Sequence, residues 1–268
     1  LTSSLRSSGT NAHIEGDATA AEARTQETRN NNRTQIFKNS VIISDTDEGL
    51  NNIGKTRRMA YELIQVAREQ KLDIEKALFA NNAKVAGNAT TARELAGAPT
   101  WMTTNVNFVS ASSGANATGD GSDARTDSGA PTAFSQVKFD DVMQSIWENG
   151  GMPDTCYLSA FQMNKALAFT GNNNQRANVV AADERVVNSL SVYLTPWGQV
   201  AFQPSRENRS RDVFILQDNM WEVATLRPTK NVALAKTGDS TQRQITTELT
   251  LVCKNQLASG MIADNTTS

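Results

Sequence analysis

The residues most suggestive of chemistry form a short glycine-containing string from Gly49 to Thr56. Its sequence, GLNNIGKT, satisfies the pattern G-x-x-x-x-G-K-[ST] of phosphate-binding P-loops. In such a loop, backbone N–H groups surround a phosphate, the lysine reaches the terminal phosphates, and the last hydroxyl binds Mg²⁺. The string follows a strand-like run from Ile36 to Ser44 and leads into the longest helical pattern of the chain. A P-loop nucleotide-binding enzyme that uses Lys55 is therefore one hypothesis.

The surroundings of this string oppose a phosphate site. Asp45, Asp47 and Glu48 precede it and would place three carboxylates where the negative charge of the phosphates must sit. Residues 50–53 contain no further glycine, and no series of βα units supplies a parallel sheet. The same acids are favourable at a helix start, because they interact with its free N–H groups. The pattern therefore favours an alternative in which residues 49–56 form the first turns of a long helix.

That helix is predicted to extend from about residue 49 to residue 82. Its apolar residues follow steps of three, four and seven, which places them on one face. They are Ile53, Ala60, Leu63, Ile64, Ala67, Ile74 and Leu78. At 1.5 Å per residue, an uninterrupted stretch from Lys55 to Asn82 would be about 42 Å long. This length indicates an elongated molecule rather than a compact globule.

Two polar segments lack the apolar residues needed for a core of their own. Residues 1–35 have few and widely spaced apolar anchors, so we expect an arm that needs a partner surface. Residues 36–44 then predict a strand that returns from this arm. Residues 110–131 are rich in Ser, Gly, Ala and Asp and contain no large apolar side chain. They predict a long exposed loop, and such loops often have an external role.

The second half of the chain completes an α+β pattern. Residues 139–169 predict a helix, a short strand and a second helix, in which Ser159 caps the second helix. Two β-hairpins are predicted at residues 191–203 and 213–226. The strict alternation from Ile245 to Cys253 predicts a strand with one buried face. Residues 255–264 are expected to form a short tail.

Composition excludes several classes of function. The chain has 26 Lys and Arg against 28 Asp and Glu, a balance that opposes a dedicated nucleic-acid-binding protein. Its only histidine is His13, and Cys156 and Cys253 lie in apolar runs, as expected of buried thiols. These residues supply neither a catalytic triad nor a zinc site, so we predict no catalytic, cofactor-binding or metal residues. No apolar run approaches the length of a membrane span.

The order of these elements, together with several stretches of sequence, resembles the major capsid proteins of tailed double-stranded DNA phages. The stretches that carry the resemblance are Asn30–Phe37, Val41–Thr46, Asp73–Leu78, Phe139–Phe169 and Glu248–Asn255. The resemblance covers nearly the whole chain, and the order of elements contributes more to it than any single motif. It implies the Hong Kong 97-like fold.

The resemblance also implies a division of the chain into four segments. They are an N-terminal arm and extended loop (1–44), a peripheral domain (45–135) with a spine helix at about 49–82 and the exposed loop 110–131, an axial domain (136–228), and a return strand with a C-terminal tail (229–268). The family usually has a further N-terminal arm. Because Leu1 is not an initiator methionine, we expect that the natural chain is processed or that residues precede Leu1.

The function implied by the resemblance is that of a structural subunit without catalysis. Such subunits assemble in the host cytoplasm into pentamers and hexamers, which form an icosahedral virion shell around double-stranded DNA. Portal, scaffolding and decoration proteins are further partners of such shells, and no membrane is involved. An encapsulin-like compartment with a protein cargo is an alternative on the same fold. Some shells of this fold join a lysine to a neighbour's asparagine; Lys38 and Asn255 have suitable residue types, although a surface lysine and a strand-end asparagine are the simpler interpretation.

Overall fold

The computed structural model describes residues 29–50, 57–169 and 192–267, together with residues 12, 14–16 and 18. In this part of the chain the helices are α1 (Asp45–Gly49), α2 (Arg58–Phe79), α3 (Gln136–Glu148) and α4 (Ala160–Ala166). The strands are β1 (Gln35–Ser44), β2 (Val106–Asn107), β3 (Thr155–Leu158), β4 (Val192–Thr195), β5 (Gly198–Pro204), β6 (Val213–Leu216), β7 (Trp221–Ala233), β8 (Ser240–Cys253) and β9 (Gly260–Ile262). Helices and strands mix as the predicted α+β class requires.

One sheet contains the long strands of the chain. It has three antiparallel strands in the order β1-β8-β7, so the strand predicted from its alternating pattern lies at the centre. The alternation predicted a strand from Ile245 to Cys253, and the observed strand begins five residues earlier, at Ser240. Helix α2 packs against this sheet through Met59, Leu63 and Val66 near its start. The long helix and the three-stranded sheet therefore form one layered unit.

A second sheet has six strands in the order β2-β9-β6-β3-β5-β4. Helix α3 covers one face, and its Phe139 is fully buried among aromatic side chains of the sheet and of the segment after α4. The rings of Tyr193 and Phe202 meet Phe139 edge-on, with centroids 5.3 and 5.5 Å away. The predicted helix–strand–helix unit is confirmed, and the Ser159 side chain caps α4 as expected. The second helix ends earlier than predicted, at Ala166.

The structure corrects the bounds of the long helix. A helix from residue 49 to residue 82 was expected, but α1 ends at Gly49 and Leu50 is extended. Helix α2 begins only at Arg58, after an extended Arg57, and ends at Phe79. Residues 51–56 lie outside the described residues. Ile64, which the pattern placed on the buried face, is 55% exposed because the contacts of α2 follow a neighbouring row of side chains.

Two predictions for the second half of the chain are wrong. Hairpin β4–β5 is confirmed, but β6 and β7 do not pair with each other: β6 pairs with β3 and β9, and β7 pairs with β8. The physical reason is burial, since all four residues of β6 are buried and such a strand needs a neighbour on each edge. Likewise, residues 260–262 are not part of a tail. They form the buried strand β9 inside the six-stranded sheet.

The division into domains stays a prediction. Strand β2 comes from the segment assigned to the peripheral domain, and β9 comes from the segment assigned to the return strand and tail. Both belong to the sheet built mainly by the segment assigned to the axial domain. Conversely, β7 begins within the segment assigned to the axial domain but pairs with β8 in the three-stranded sheet. The chain therefore crosses between the two sheets several times.

Candidate functional site

The start of α2 shows whether the residues around the predicted P-loop are arranged to bind phosphate. The carboxylate of Glu48, on α1, accepts a hydrogen bond of 3.0 Å from the backbone N–H of Met59. Asp47 forms an ion pair of 2.7 Å with Arg58. The helix N-terminus, which would bind phosphate in a P-loop, thus already binds a carboxylate of its own chain. Asp47 and Glu48 were predicted to favour a helix start. They do stabilise the start of α2, but they belong to the separate short helix α1.

The strand that precedes the string is also unlike that of a P-loop. Among the described strands, β1 pairs with β8 alone, and the pairing is antiparallel. Nucleotide-binding α/β folds instead place the string after a strand of a parallel sheet. Lys55 and Thr56, the residues that would contact phosphate and Mg²⁺, lie outside the described residues. The described surroundings therefore favour a helix junction rather than a nucleotide site.

This interpretation makes a direct prediction for Lys55. The Lys55→Ala variant should bind ATP no more weakly than the wild-type chain, because neither protein should show saturable binding. Glu48→Ala should instead lower the free energy of unfolding by about 0.5–2 kcal/mol, as expected for a lost helix cap. Nucleotide titration and urea unfolding of both variants measure the two effects. Saturable ATP binding that disappears in Lys55→Ala would contradict the helix-junction interpretation.

A buried network of charges lies beneath the loop predicted to be exposed. Arg125, in the middle of residues 110–131, is completely buried and forms ion pairs of 3.0 Å with Asp264 and 3.7 Å with Asp212. Arg209 binds Asp212 at 2.7 Å and also pairs with Asp127. The prediction of an exposed loop is therefore wrong at Arg125 and Ser128, whereas residues 122, 124, 126 and 129–131 are exposed as predicted. The loop is anchored at Arg125 because a buried guanidinium needs carboxylate partners.

Asp264 fixes the loop through its carboxylate. It accepts hydrogen bonds from the backbone N–H groups of Ser128 at 2.9 Å and Val109 at 3.3 Å, besides the one from Arg125. Its φ of +56° lies in the left-handed region, which aspartate adopts more readily than most residues. Burial alone would raise the pKa of this carboxyl, but the bonds from Arg125 and the two N–H groups outweigh burial and lower it. Asp264 is therefore the ionised centre of the network.

Asp212 differs from Asp264 in its electrostatics. Burial raises the pKa of its carboxyl to about 6, against the opposing effects of Arg209 and Arg125. The buried Oδ1 of Asp212 and Nε of Arg125 have no hydrogen-bond partner in the structure. Arg125 also pairs with Asp127 and Asp264, and Arg209 also pairs with Asp127. The two arginines therefore do not fully offset the cost of burying the Asp212 carboxylate.

The raised pKa of Asp212 predicts a pH dependence of stability. The folded chain holds this proton up to about pH 6, whereas the unfolded chain releases it near the ordinary value of 3.8. Folding therefore takes up a proton between these values, and the contribution of Asp212 to the free energy of unfolding falls as pH rises through that window. Relative to wild type, the Asp212→Asn variant should gain stability between pH 4 and pH 7, because its side chain cannot ionise. Thermal unfolding of both proteins across this range measures the difference; a stability difference that does not change with pH would mean that Asp212 is ionised throughout.

A second charged junction connects the N-terminal segment to the central strand. Glu248 of β8 is buried and accepts hydrogen bonds from Thr34 at 2.7 Å, Arg93 at 2.5 Å and Arg227 at 2.6 Å. Three segments that are distant in sequence thus meet at one carboxylate. The Thr34 hydroxyl, followed by the two arginines, lowers the pKa of Glu248 despite its burial. Sequence reasoning placed Glu248 in a strand and missed its partners.

The remaining sequence candidates lie apart from these networks. Lys38 is exposed on β1, and the Asn255 side chain accepts a hydrogen bond from the Leu257 N–H at the start of a 3₁₀ turn. Their cross-link between subunits stays a prediction. Burial raises the pKa of the Cys156 thiol, and that of Cys253 to about 12, so both are free thiols of low reactivity. His13 lies outside the described residues.

Neither a metal centre nor a membrane-spanning helix is found in the described residues. No group of three or more His, Cys, Asp or Glu side chains there is arranged to hold a metal ion. None of the helices described is long and apolar enough to cross a bilayer. The charged networks around Asp264 and Glu248 instead connect a loop and the N-terminal segment to the two sheets.

A family comparison assigns the chain as a whole. The family model described as SU10 major capsid protein matches residues 1–266. The chain belongs to this family of major capsid proteins. A curated relative, the major capsid protein of Escherichia phage Phieco32, is 34% identical over 76 residues, which are 28% of this chain. The matched part spans about a fifth (22%) of that relative's length.

Solved structures similar to this capsid family member show its fold. The capsid asymmetric unit of cyanophage A-1(L) has a TM-score of 0.60 at 10% identity, covering 87% of this chain and 78% of that one. The holo-SrpI encapsulin complex from Synechococcus elongatus PCC 7942 has a TM-score of 0.55 at 10% identity, covering 88% and 75%. The predicted Hong Kong 97-like fold is confirmed, and at such low identity these two structures establish the fold alone.

Proposed function

We propose that this chain is the structural subunit of a phage head, which self-associates into pentamers and hexamers and closes an icosahedral shell around double-stranded DNA. The observation that carries the proposal is the family match over residues 1–266. The near-equal numbers of basic and acidic residues support it, since a container wall must not hold its DNA tightly. Portal, scaffolding and decoration proteins as partners, and assembly in the host cytoplasm, belong to the same proposal.

The subunit has no catalytic role in this proposal. The buried charges of the chain are engaged in holding its own segments together: Arg125 and Glu248 each bind partners from other parts of the fold. The start of α2 is occupied by Glu48. This use of charged groups supports the role of a structural shell subunit rather than that of a nucleotide-dependent enzyme.

Electron microscopy of the purified chain tests the proposal. The expected result is closed shells in negative stain, or ring-shaped capsomers that close when salt or pH is changed. A monomer that remains stable under all assembly conditions would count against self-assembly.

The contents of native particles separate the proposal from an encapsulin-like compartment. A likeness to the SrpI encapsulin complex supports that alternative at the level of the fold only. Particles isolated from infected cells should contain double-stranded DNA, measured by nuclease treatment and gel analysis after disruption. A protein cargo in place of DNA would favour the compartment.

A further inference from the structure

Among the described residues, one face of the three-stranded sheet is covered, and the other is largely uncovered away from the buried Glu248. Helix α2 and the segments beside it cover the first face through Phe37, Val41 and Ile43 of β1. Since side chains alternate along a strand, the residues between these point to the opposite face. Three apolar side chains on that opposite face are at least 46% exposed: Ile36, Ile42 and Val232.

Two lysines lie on the same uncovered face. Lys38 of β1 and Lys230 of β7 both pair with Thr246 of the central strand, so they lie on either side of it, about 10 Å apart. Neither lysine has an ion-pair partner among the described residues. Glu248, a carboxylate on this face, is already bound by two arginines. We call Ile36, Lys38, Ile42, Lys230 and Val232 the open face; it is basic and apolar.

An acidic groove of about 400 Å³ lies elsewhere on the same chain, where the end of α2 meets β3, β6 and the start of β7. Besides aliphatic side chains, aromatic rings and carboxylates line it. They include Phe79, Tyr157 and Trp221, with Glu75, Asp218 and Glu222. We call these six residues the acidic groove.

Two carboxylates of the groove lack a positive partner among the described residues. Glu75 accepts a hydrogen bond of 2.6 Å from the Ser205 hydroxyl, and Asp218 accepts one of 2.9 Å from Thr155. Burial and then the charges of Asp218, Asp154 and Glu75 raise the pKa of Tyr157, as expected in a negative field. A lysine suits such a groove, because its stem packs on aromatic rings while its ammonium binds carboxylates.

We propose that the open face of one subunit docks against the acidic groove of a second copy of this chain. The inference rests on the self-association proposed above, and it names the surfaces that meet. Two unpartnered lysines with exposed apolar neighbours match two unpartnered carboxylates with aromatic neighbours. Because each subunit carries both surfaces, the contact is head-to-tail and repeats from subunit to subunit, as a ring or a shell requires.

The two surfaces of a single chain cannot satisfy each other. Trp221 in the groove pairs with Cys253, and Lys230 on the open face pairs with Thr246. These partners are seven residues apart on β8, which corresponds to about 23 Å. A covalent bond between these two surfaces therefore reports contact between subunits. This separation makes a cross-linking experiment decisive.

The test uses the full chain with Val223→Cys, which lines the groove, and Val232→Cys, on the open face, in a Cys253→Ser background that leaves the lysines and carboxylates in place. Assembled particles treated with a short bis-maleimide should give a ladder of covalent oligomers on a denaturing gel. The two single-cysteine variants, as matched controls, should give monomers. Particles that form normally but yield no ladder would overturn the inference and leave the proposed function intact. If the wild-type chain forms no particles, the proposed function fails and this inference fails with it.

Charge exchange supplies a second measurement that does not depend on cross-linking. Lys230→Glu and Asp218→Lys should each cause a loss of assembly yield, and the double variant should regain most of that loss. Arg68→Glu is the control, because it makes the same charge change at an exposed position of α2 outside both surfaces. Equal losses in the double variant and the single variants would overturn the pairing. A contrary result would be unassembled wild-type subunits that retain added DNA or a small polycation, with this binding lost in the same variants. That result would assign the two surfaces to other ligands and would also overturn the inference.

Discussion

Replacing Arg125 with alanine should lower the free energy of unfolding by about 3–5 kcal/mol, the cost typical of breaking a buried ion pair by removing one partner. The variant leaves the buried Asp264 with only the longer ion pair of 3.8 Å to Arg211, and it removes the buried cation that Asp212 shares with Asp264. Urea unfolding of unassembled subunits, followed by tryptophan fluorescence, measures the loss. Cleavage of residues 110–131 by a nonspecific protease should also become faster, since the loop loses its anchor.

Two further variants make the Arg125 prediction specific. Arg206→Ala removes the same side chain from an exposed position nearby, and it should change stability by no more than about 0.5 kcal/mol. Arg125→Lys keeps the charge but not the planar fork that reaches two carboxylates, so it should recover only part of the loss. A loss of less than about 1 kcal/mol in Arg125→Ala would show that Asp264 does not depend on this arginine.

The sequence predicted the elements that have a strong local pattern. The alternation around Ile245 and the helical spacing from Phe139 depend on neighbouring residues only, and both elements form as predicted. The predicted long helix began too early because residues 49–56 continue the helical composition. The break at Leu50 and the cap from Glu48 depend instead on how α1 folds back towards the start of α2. Local periodicity contains no information about that fold-back.

The parts that the sequence did not predict depend on contacts between distant residues. Arg125 lies in a segment without large apolar residues, so composition indicated an exposed loop. Its burial results from Asp264, which lies 139 residues away. The three residues of β9 are too few for any pattern, and β6 found neighbours other than the adjacent β7. A charged residue inside a Ser/Gly-rich loop is the only local signal that such a loop is anchored.

The second large effect is expected at Glu248. Glu248→Ala removes the acceptor of three hydrogen bonds, two of them from arginines, and charged hydrogen bonds contribute about 1.5–3 kcal/mol each. Arg93 and Arg227 are partly exposed and regain water in the variant, so the net loss of stability should be about 2–3 kcal/mol rather than the full sum. Unfolding of unassembled subunits in urea measures it.

The pH dependence of this effect distinguishes the charge of Glu248 from its packing. The pKa of Glu248 is lower in the folded chain than its ordinary value of 4.5, so its contribution to stability is present above that value and is lost as pH falls through the folded pKa. The stability difference between wild type and Glu248→Gln should therefore shrink on acidification, which is opposite in sign to the effect expected of Asp212. A difference that stays constant down to pH 3 would show that Glu248 acts through shape alone. Because the same carboxylate binds Thr34, loss of its charge should also release the segment before β1 from the central strand, which faster proteolysis near residue 34 would reveal.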